Sequence, residues 1–371
     1  MVKNKSNNIY QPKVSVCTPT FNRRPFIPSM IECFNHQIYP KNKIEWIIVD
    51  DGTDKIKDLV IGIPQVKYIE LDERISLGKK RNIMHEHCTG DIIVYMDDDD
   101  YYPPTRISHA VTRLISEPKK MIAGCSEIYV YFKHIQSMWQ FGPYKPNHAT
   151  AGTFAFKRQL LENHRYDESK AFAEESSFLN NFTVPMIQLE PRHVILVFSH
   201  IHNTFDKKSL LEHKDERVSK KSDKTVDYFI EQKGLKDWFM NEIDIELNDY
   251  DPGLPKHKPD VLEQIEFRKK QRMEAHNKQS TQLMTTHQNQ VVVNNNCQPK
   301  LLDCVTASRY ISSLIERDHK LIEQKKELVQ KIVLLEKQNN TVQNYIEYIF
   351  SLQKKLNDNN IQFHNNLDLI M

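Results

Sequence analysis

Four consecutive aspartates, Asp97, Asp98, Asp99 and Asp100, follow the apolar run 92–96. The β-branched content of that run predicts a buried strand with the acids at its carboxyl end. In an extended backbone, Asp97 and Asp99 would point to one side of the strand, and Asp98 and Asp100 to the other. Two carboxylates on one side suit Mg²⁺ or Mn²⁺, which take their other ligands from substrate phosphates and water. A solvated acidic turn is the alternative, but clustered acids beside a buried strand repel one another unless a cation neutralises them.

The segments before this cluster alternate between strand and helix. We predict strands at 14–17, 44–49 and 66–71, one helix opened by the prolines near residue 25 and another capped by Ser76. This alternation predicts a parallel sheet with right-handed crossovers, whose carboxyl ends form one ligand-binding edge. The polar residues expected at that edge, besides the acidic cluster, are Thr18, Thr20, Asp50 and Asp51.

Such an edge suits a nucleotide diphosphate. A carboxylate at Asp50 or Asp51 can accept hydrogen bonds from a base N–H or from ribose hydroxyls, and Lys79 or Arg81 can approach the phosphate charge. Taken alone, the two acids also fit a simple Asp-Gly turn, and the basic residues fit a solvated helix face. Neither a G-x-G-x-x-G motif nor a phosphate-binding loop ending in Gly-Lys-Ser/Thr follows the first strand, which disfavours dinucleotide oxidoreductases and P-loop nucleotidases.

The composition is that of a globular chain. Its 371 residues allow more than one domain, 39% of them are hydrophobic, and the net charge is only +2. This balance disfavours a nucleic-acid-binding surface over the whole protein. We recognise no signal peptide and no apolar run of about 18 residues, so we expect a cytoplasmic protein without a transmembrane segment. The six cysteines show no C-x-x-C spacing and are expected to be free thiols.

Four segments give the chain a family resemblance: VSVCTPTFNR (14–23), IIVDDGTD (47–54), LGKKRN (77–82) and GDIIVYMDDDDYYPP (90–104). In order and spacing they resemble the successive signatures of family 2 glycosyltransferases over residues 12–215. The resemblance implies an α/β, Rossmann-like GT-A domain with a mostly parallel central sheet. It also implies a nucleotide-sugar donor such as a UDP-sugar, and inversion at the anomeric carbon. In its abundance of Asn, Lys and Ile the chain resembles glycosyltransferases of giant viruses.

The resemblance further implies where the donor and the metal bind. The metal, Mn²⁺ or Mg²⁺, is expected at Asp97 and Asp99. The residues expected to contact the nucleotide sugar are Thr18, Pro19, Thr20, Asn22, Asp50, Asp51, Lys79, Arg81, Asp97 and Asp98.

Two glutamates, Glu174 and Glu175, stand where this family would carry a Glu-Asp pair that includes the catalytic base. An inverting transfer needs one carboxylate within hydrogen-bond reach of the acceptor hydroxyl. We expect Glu175 to be this base and keep Glu174 as the alternative; helix N-terminal acids favoured by the macrodipole would be the purely structural explanation. A predicted strand at 194–198 leads to His200 and His202, either of which could ligate the metal or contact the diphosphate.

The rest of the chain divides by composition. We predict an N-terminal tail (1–11), the GT-A domain (12–215), a helical extension (216–272), a polar flexible linker (273–300), a coiled coil (301–360) and a C-terminal tail (361–371). An apolar residue recurs every seven positions from Leu314 to Leu356, which predicts a coiled coil that forms a homodimer or docks a partner. A single amphipathic helix lying on the catalytic domain is the alternative.

The sequence therefore predicts a metal-dependent inverting glycosyltransferase that acts on a glycan, lipid or protein acceptor. The second hypothesis is an interaction protein, in which a coiled coil displays a catalytically silent GT-A domain. The unaltered acidic cluster favours the enzyme. A nucleotidyltransferase that makes sugar nucleotides would share the sheet, but it would need a glycine-rich basic loop after the first strand, which residues 14–23 lack.

Overall fold

A computed structural model describes residues 11–212, 217–286, 290–295 and 298–358. The chain forms two compact units, the first ending at Gln271 and the second beginning at Arg272. The predicted boundary at Asp215 and the predicted C-terminal tail lie outside the described residues. Within the described ranges, no helix is long and apolar enough to cross a bilayer.

The first unit mixes strands and helices throughout its length. Its strands are β1 (Val14–Thr20), β2 (Ile44–Asp50), β3 (Val66–Glu70), β4 (Ile92–Tyr95), β5 (Ile122–Gly124), β6 (Ile128–Phe132), β7 (Ser137–Phe141), β8 (Ala155–Lys157), β9 (Met186–Gln188), β10 (Val197–Ser199) and β11 (Ser219–Lys221). Its helices are α1 (Ile27–Asn35), α2 (Lys57–Val60), α3 (Leu77–His87), α4 (Arg106–Ser116), α5 (Glu175–Phe178), α6 (Ser209–Glu212), α7 (Lys233–Asp237) and α8 (Ile243–Asn248). A further helix, α9 (Pro259–Thr286), spans the sequence boundary between the units.

The central sheet has the strand order β3-β2-β1-β4-β8-β5-β9. The pairs β1–β2, β2–β3, β1–β4 and β5–β9 are parallel, whereas β8 runs antiparallel to both of its neighbours. The prediction of a mostly parallel sheet is therefore confirmed. Because β1, β2 and β4 are adjacent and parallel, their carboxyl ends meet at one edge, as the alternating pattern required.

Side chains of the central strands alternate between two apolar layers. In β4, Ile92 and Val94 pack in the layer that contains Trp46, while Ile93 and Tyr95 pack in the layer that contains Phe178. Alternate residues of a strand point to opposite faces, so β4 is buried on both sides. This explains its uninterrupted apolar sequence and fixes the position at which the acids emerge.

A second sheet has the order β10-β6-β7-β11. A backbone bridge joins it to the acidic segment, since Tyr101 and Leu196 exchange N–H···O hydrogen bonds of 3.1 and 3.0 Å. Residues just before β10 are thus held beside residues just after the four aspartates. His200, which follows β10, is brought to the acidic cluster by this pairing.

The predicted helical extension belongs to the core of the first unit. Val226, Phe229 and Ile230 are buried in the same apolar layer as Trp46. Further along, Tyr250 donates a hydrogen bond of 2.8 Å to Asp54. The extension is therefore an integral part of the first unit.

The second unit contains the antiparallel hairpin of β12 (Gln290–Asn295) and β13 (Gln298–Asp303), followed by α10 (Cys304–Asp358). This differs from the predicted flexible linker at 273–300, because α9 continues to Thr286 and the hairpin follows it. Helix α9 is rich in Gln, Lys and Glu, which are good helix formers, and the first hairpin strand contains three consecutive valines.

Candidate active site

The acidic cluster lies in a loop and not in a strand. Strand β4 ends at Tyr95, and residues 98–100 bend. The Tyr102 hydroxyl accepts a hydrogen bond of 2.8 Å from the Asp97 N–H and helps to turn the chain. As a result Asp98 and Asp99 face the same guanidinium, with Arg23 Nε 3.6 Å from Asp98 and Nη2 3.4 Å from Asp99. The predicted alternation, with these two acids on opposite sides, is wrong because the extended backbone stops before them.

Asp97 lies at the other side of this loop, next to Arg81. Arg81 Nη2 is 3.8 Å from Asp97 Oδ1, a distance longer than a hydrogen bond. Oδ1 is buried and has no hydrogen-bond partner within the described part of the chain. Gly152 permits the close approach on the other oxygen, since a Cβ there would lie 2.6 Å from Asp97 Oδ2. Asp97 thus presents a buried acceptor whose hydrogen-bonding capacity no described residue satisfies.

The pKa values of the four aspartates are shifted in different directions. Burial opposes ionisation of Asp99, but the charge of Arg23 and the neighbouring His200 hold its pKa well below the ordinary value. Burial raises the pKa of Asp98 to about 7 against the opposing effect of Arg23. Burial also raises the pKa of Asp97 and of Asp100, and the neighbouring Asp99 charge adds to both effects. The cluster therefore holds one firmly ionised carboxylate among acids whose ionisation an added cation would favour.

The two glutamates have different surroundings. Glu174 is buried and accepts a hydrogen bond of 2.7 Å from Arg81 Nε, which connects it to Asp97 through one guanidinium. Glu175 begins the short helix α5 and is partly buried. Burial, reinforced by the charge of Glu174, raises the pKa of Glu175 to about 7. A carboxyl group with this pKa is suited to exchange a proton near neutral pH.

The structure brings His200 and not His202 to the acidic cluster. His200 Nε2 is 3.4 Å from Asp99 Oδ2, and burial lowers the pKa of this imidazole to about 3. The ring of His202 points elsewhere, with Nε2 3.2 Å from the Leu247 carbonyl oxygen. The two side chains diverge because β10 ends at Ser199 and a turn follows, in which Asn203 accepts a hydrogen bond from the His200 N–H. Of the two candidate histidines, His200 is therefore the one that lies beside Asp99.

Of the residues in and just after β1 that were expected to contact the donor, some have a structural role and others have side chains that are not committed to a hydrogen bond. Thr18 is fully buried, donating to the Met96 carbonyl at 2.6 Å and accepting from Trp46 Nε1 at 2.9 Å, so its hydroxyl ties strands together. Asn22 is also a structural residue, with a positive φ of 52° and an Oδ1 that accepts the Asp54 N–H. Thr20, by contrast, has a buried hydroxyl without a hydrogen-bond partner in the described ranges. Pro19 is only partly buried.

In α3 the buried lysine is Lys80, and not Lys79, which we expected from the sequence to contact the donor. Lys79 is exposed on the helix surface, whereas Lys80 is buried, forms an ion pair with Asp51 and donates to the Thr20 carbonyl at 2.9 Å. Sequence reasoning also missed Arg23, although it lies within the segment 14–23. Lys80 and Arg23 are each next to a residue that we expected to contact the donor, and this was the available signal. Their burial could not be predicted from the sequence.

Asp50 stabilises the loop after β2. Its carboxylate accepts hydrogen bonds from the N–H groups of Gly52 at 2.9 Å and Ile56 at 3.1 Å, and from the Tyr68 hydroxyl at 2.6 Å. Removing the carboxylate leaves three donors unsatisfied, so we expect Asp50→Ala to lower the free energy of unfolding by about 3 kcal/mol or more. Urea denaturation would measure this. Asp72→Ala, at an exposed position after β3, is the matched control, and an equal loss in both variants would contradict the assignment.

The residues present fit a divalent cation bound together with a phosphate. Among the described residues no group of three or more His, Cys, Asp and Glu side chains forms a complete cation site. Mg²⁺ and Mn²⁺ do not need one, because one or two carboxylates suffice when phosphates and water supply the remaining ligands. Asp97, whose Oδ1 has no hydrogen-bond partner in the described ranges, and Asp99 could provide those carboxylates, and His200 lies beside Asp99.

Comparison with known proteins assigns this domain. Residues 15–181 match the family model described as glycosyl transferase family 2. The chain carries a family 2 glycosyltransferase domain. Its central sheet, with β8 inserted antiparallel beside β4, is that of the GT-A fold expected from the sequence. The family match ends before the extension that completes the core of the first unit.

Similar proteins cover only parts of this chain. Poly(ribitol-phosphate) beta-N-acetylglucosaminyltransferase TarS of Staphylococcus aureus is 30% identical over 94 residues, which are 24% of this chain and 16% of TarS. A putative teichuronic acid biosynthesis glycosyltransferase, TuaG of Bacillus subtilis, is 30% identical over 108 residues, 26% of this chain and 40% of TuaG. The chain thus matches well under two thirds of the length of either curated relative.

Two solved structures also resemble the glycosyltransferase domain. One is the mannosyltransferase PcManGT from Pyrobaculum calidifontis in complex with GDP-Man and Mn²⁺, with a TM-score of 0.42 and 22% identity, covering 51% of this chain and 57% of that one. The other is S. aureus TarS 1–349 in complex with UDP-GlcNAc, with a TM-score of 0.39 and 18% identity, covering 51% of this chain and 59% of that one.

Proposed function

We propose that this protein is a metal-dependent inverting glycosyltransferase that transfers a sugar from a nucleotide sugar, in the first instance a UDP-sugar, to an acceptor hydroxyl. One observation carries the proposal. Beside the buried acidic loop, Asp97 Oδ1, Arg81 Nη1 and Arg23 Nη1 are all buried without hydrogen-bond partners in the described part of the chain. Unsatisfied buried polar atoms are costly, and an acceptor beside two cationic donors is what a cation–diphosphate pair would satisfy.

The chain's own residues would divide the work of binding. Asp97 and Asp99 would hold the metal, with His200 as a further ligand or as a hydrogen-bond partner of Asp99. The guanidinium groups of Arg23 and Arg81 would donate to the diphosphate oxygens from a site that excludes water, where such contacts are strong. A bound Mn²⁺ or Mg²⁺ would supply Lewis-acid stabilisation of the charge that develops on the departing diphosphate.

Acceptor activation would fall to a glutamate. We propose Glu175 as the general base, because its pKa of about 7 matches the proton transfer that an inverting attack requires. Glu174 would orient Arg81 and keep its guanidinium between the base and the metal site. Single inversion requires no covalent enzyme intermediate, so this assignment needs one carboxylate base and no nucleophile.

The donor can be found by screening nucleotide sugars for thermal stabilisation with and without Mn²⁺. We expect one UDP-sugar to raise the melting temperature in the presence of Mn²⁺ and a catalytic assay with that donor to release UDP. The name of TarS makes UDP-N-acetylglucosamine the first compound to test. The alternative, a catalytically silent interaction domain, predicts a folded protein that no nucleotide sugar stabilises.

We further propose that α10 assembles the chain into a homodimer. Along this helix the apolar residues of one heptad position are about half exposed or more: Leu321, Leu328, Leu335, Val342 and Ile349. A stripe of this spacing is typical of a coiled-coil seam. The polar residues Asp318, Lys325 and Asn339 at the facing heptad position would limit stability and fix the register.

Light scattering after size exclusion tests this assembly. We expect the wild-type protein to elute as a dimer and Leu328→Glu to reduce the mass to that of a monomer, because the charge would be buried in the seam. Gln330→Glu places the same charge on the outer face of the helix and should leave the dimer intact. A monomeric wild-type protein, or equal effects of both substitutions, would contradict the proposal.

A further inference from the structure

Lys258 is a buried lysine of the extension, far in sequence from the family match that ends at residue 181. Only 7% of its surface is exposed. Its Nζ donates a hydrogen bond of 2.8 Å to Thr204 Oγ1, and it forms no ion pair with a carboxylate among the described residues. Burial, followed by repulsion from Arg23, holds the pKa of Lys258 well below the ordinary lysine value, while Asp98 and Asp99 oppose this effect.

The surroundings of Lys258 differ from those of two neighbouring cations, Arg74 and Lys80. Arg74, Lys80 and Lys258 lie 5.2, 5.9 and 5.5 Å from the ring centre of Phe21. Arg74 is paired with Asp260, and Lys80 with Asp51. Lys258 alone of these three cations has no carboxylate partner within the described ranges. An ammonium group held in a dry site without a counter-ion is costly, and an anionic ligand would remove that cost.

A short connecting segment holds Lys258 in place. Asn22 Nδ2 donates a hydrogen bond of 3.0 Å to the Pro252 carbonyl, so the segment before Lys258 is tied to the loop after β1. Gly253 makes this approach possible, since a Cβ there would lie 2.7 Å from the Asn22 carbonyl oxygen. His202 Nε2 is also within hydrogen-bond distance of the carbonyl oxygen of Leu247, which precedes this connecting segment. Residues outside the family match are therefore fixed against the loop that carries Arg23.

We infer that Lys258 is a donor-binding residue whose ammonium group contacts a phosphate of the nucleoside diphosphate, which makes the extension part of the glycosyltransferase active site. The inference rests on the proposed function, because it requires a nucleotide in this site. Two cations, Arg23 and Lys258, would then approach the ligand from opposite ends of the sequence. A compact ammonium suits a phosphate oxygen as a point charge.

Calorimetric titration with UDP and GDP in the presence of Mn²⁺ tests this inference. We expect Lys258→Met to weaken binding of the preferred nucleotide about tenfold or more, because a charge-assisted contact is lost from a buried site. Lys258→Arg, which keeps the charge, should recover part of the affinity. Lys256→Met is the matched control, since Lys256 is an exposed lysine paired with Asp251, and it should bind as the wild type does.

Thermal unfolding without nucleotide separates ligand binding from a structural role. If Lys258 awaits an anion, Lys258→Met should be at least as stable as the wild type, because an uncompensated charge has been removed. A lowered melting temperature together with weaker binding would show a structural residue and overturn the inference. Equal affinities of Lys258→Met and Lys256→Met would overturn it while leaving the proposed function intact. A wild-type protein that binds neither UDP nor GDP would overturn both.

Discussion

Under the proposed function, Asp99→Asn is expected to reduce the turnover at least about a hundredfold, because it removes a charge that would bind the metal and with it several kcal/mol of transition-state stabilisation. Asp99 is the acid of the cluster whose pKa is lowered, by Arg23 and His200. Of the four acids it is therefore the one whose surroundings favour the ionised form, which is the form that a cation would bind. The substitution keeps the size of the side chain and removes its charge.

Transfer assays at saturating Mn²⁺ with the donor found by screening would measure this effect. Asp72→Asn, at an exposed position after β3, removes one carboxylate elsewhere and should have near wild-type turnover. Circular dichroism of both variants checks that the fold is retained. If folded Asp99→Asn kept most of its activity, the acidic loop would not be the metal site.

Glu175→Gln is expected to have the second-largest effect, a loss of about a hundredfold or more in kcat with a smaller change in the KM for the donor. A general base works in its ionised form. Because the pKa of Glu175 is raised to about 7, wild-type activity should rise as the pH increases through 7 and fall below it. In Glu175→Gln that pH dependence should disappear from the remaining activity.

Glu174→Gln is the comparison that assigns the roles of the two glutamates. It removes the negative charge that pairs with Arg81, so we expect weaker donor binding. The pH dependence should remain, but with a midpoint below that of the wild type, because the charge of Glu174 helps to raise the pKa of Glu175. The opposite pattern, in which Glu174→Gln removes the pH dependence and Glu175→Gln preserves it, would make Glu174 the base.

The sequence predicted the frame of the site because that frame depends on local patterns. Apolar runs separated by turn residues indicated β1, β2, β3 and β4 in their parallel arrangement, and the Ser76 cap of α3 is present as expected. The carboxyl ends of adjacent parallel strands must meet, so the acids and the loop after β2 could be placed at one edge. The family match over residues 15–181 supports this reading of the first half of the chain.

The details that the sequence did not predict depend on contacts between distant segments. Strand pairing decides whether Thr18 faces a ligand or Trp46. The packing of α3 decides which of Lys79 and Lys80 is buried. The approach of Lys258 to the loop after β1 joins positions more than two hundred residues apart in sequence. No periodicity or motif encodes such a contact.

The metal-dependent binding of a nucleoside diphosphate is tested most directly by calorimetric titration of UDP and GDP into the wild-type protein with Mn²⁺ and, separately, with a chelator. We expect one nucleotide to bind at least about tenfold more tightly with Mn²⁺, and Asp99→Asn to abolish this difference. If both nucleotides bound equally with and without the metal, or did not bind at all, the claim that the aspartates after β4 hold a cation and its diphosphate would be contradicted.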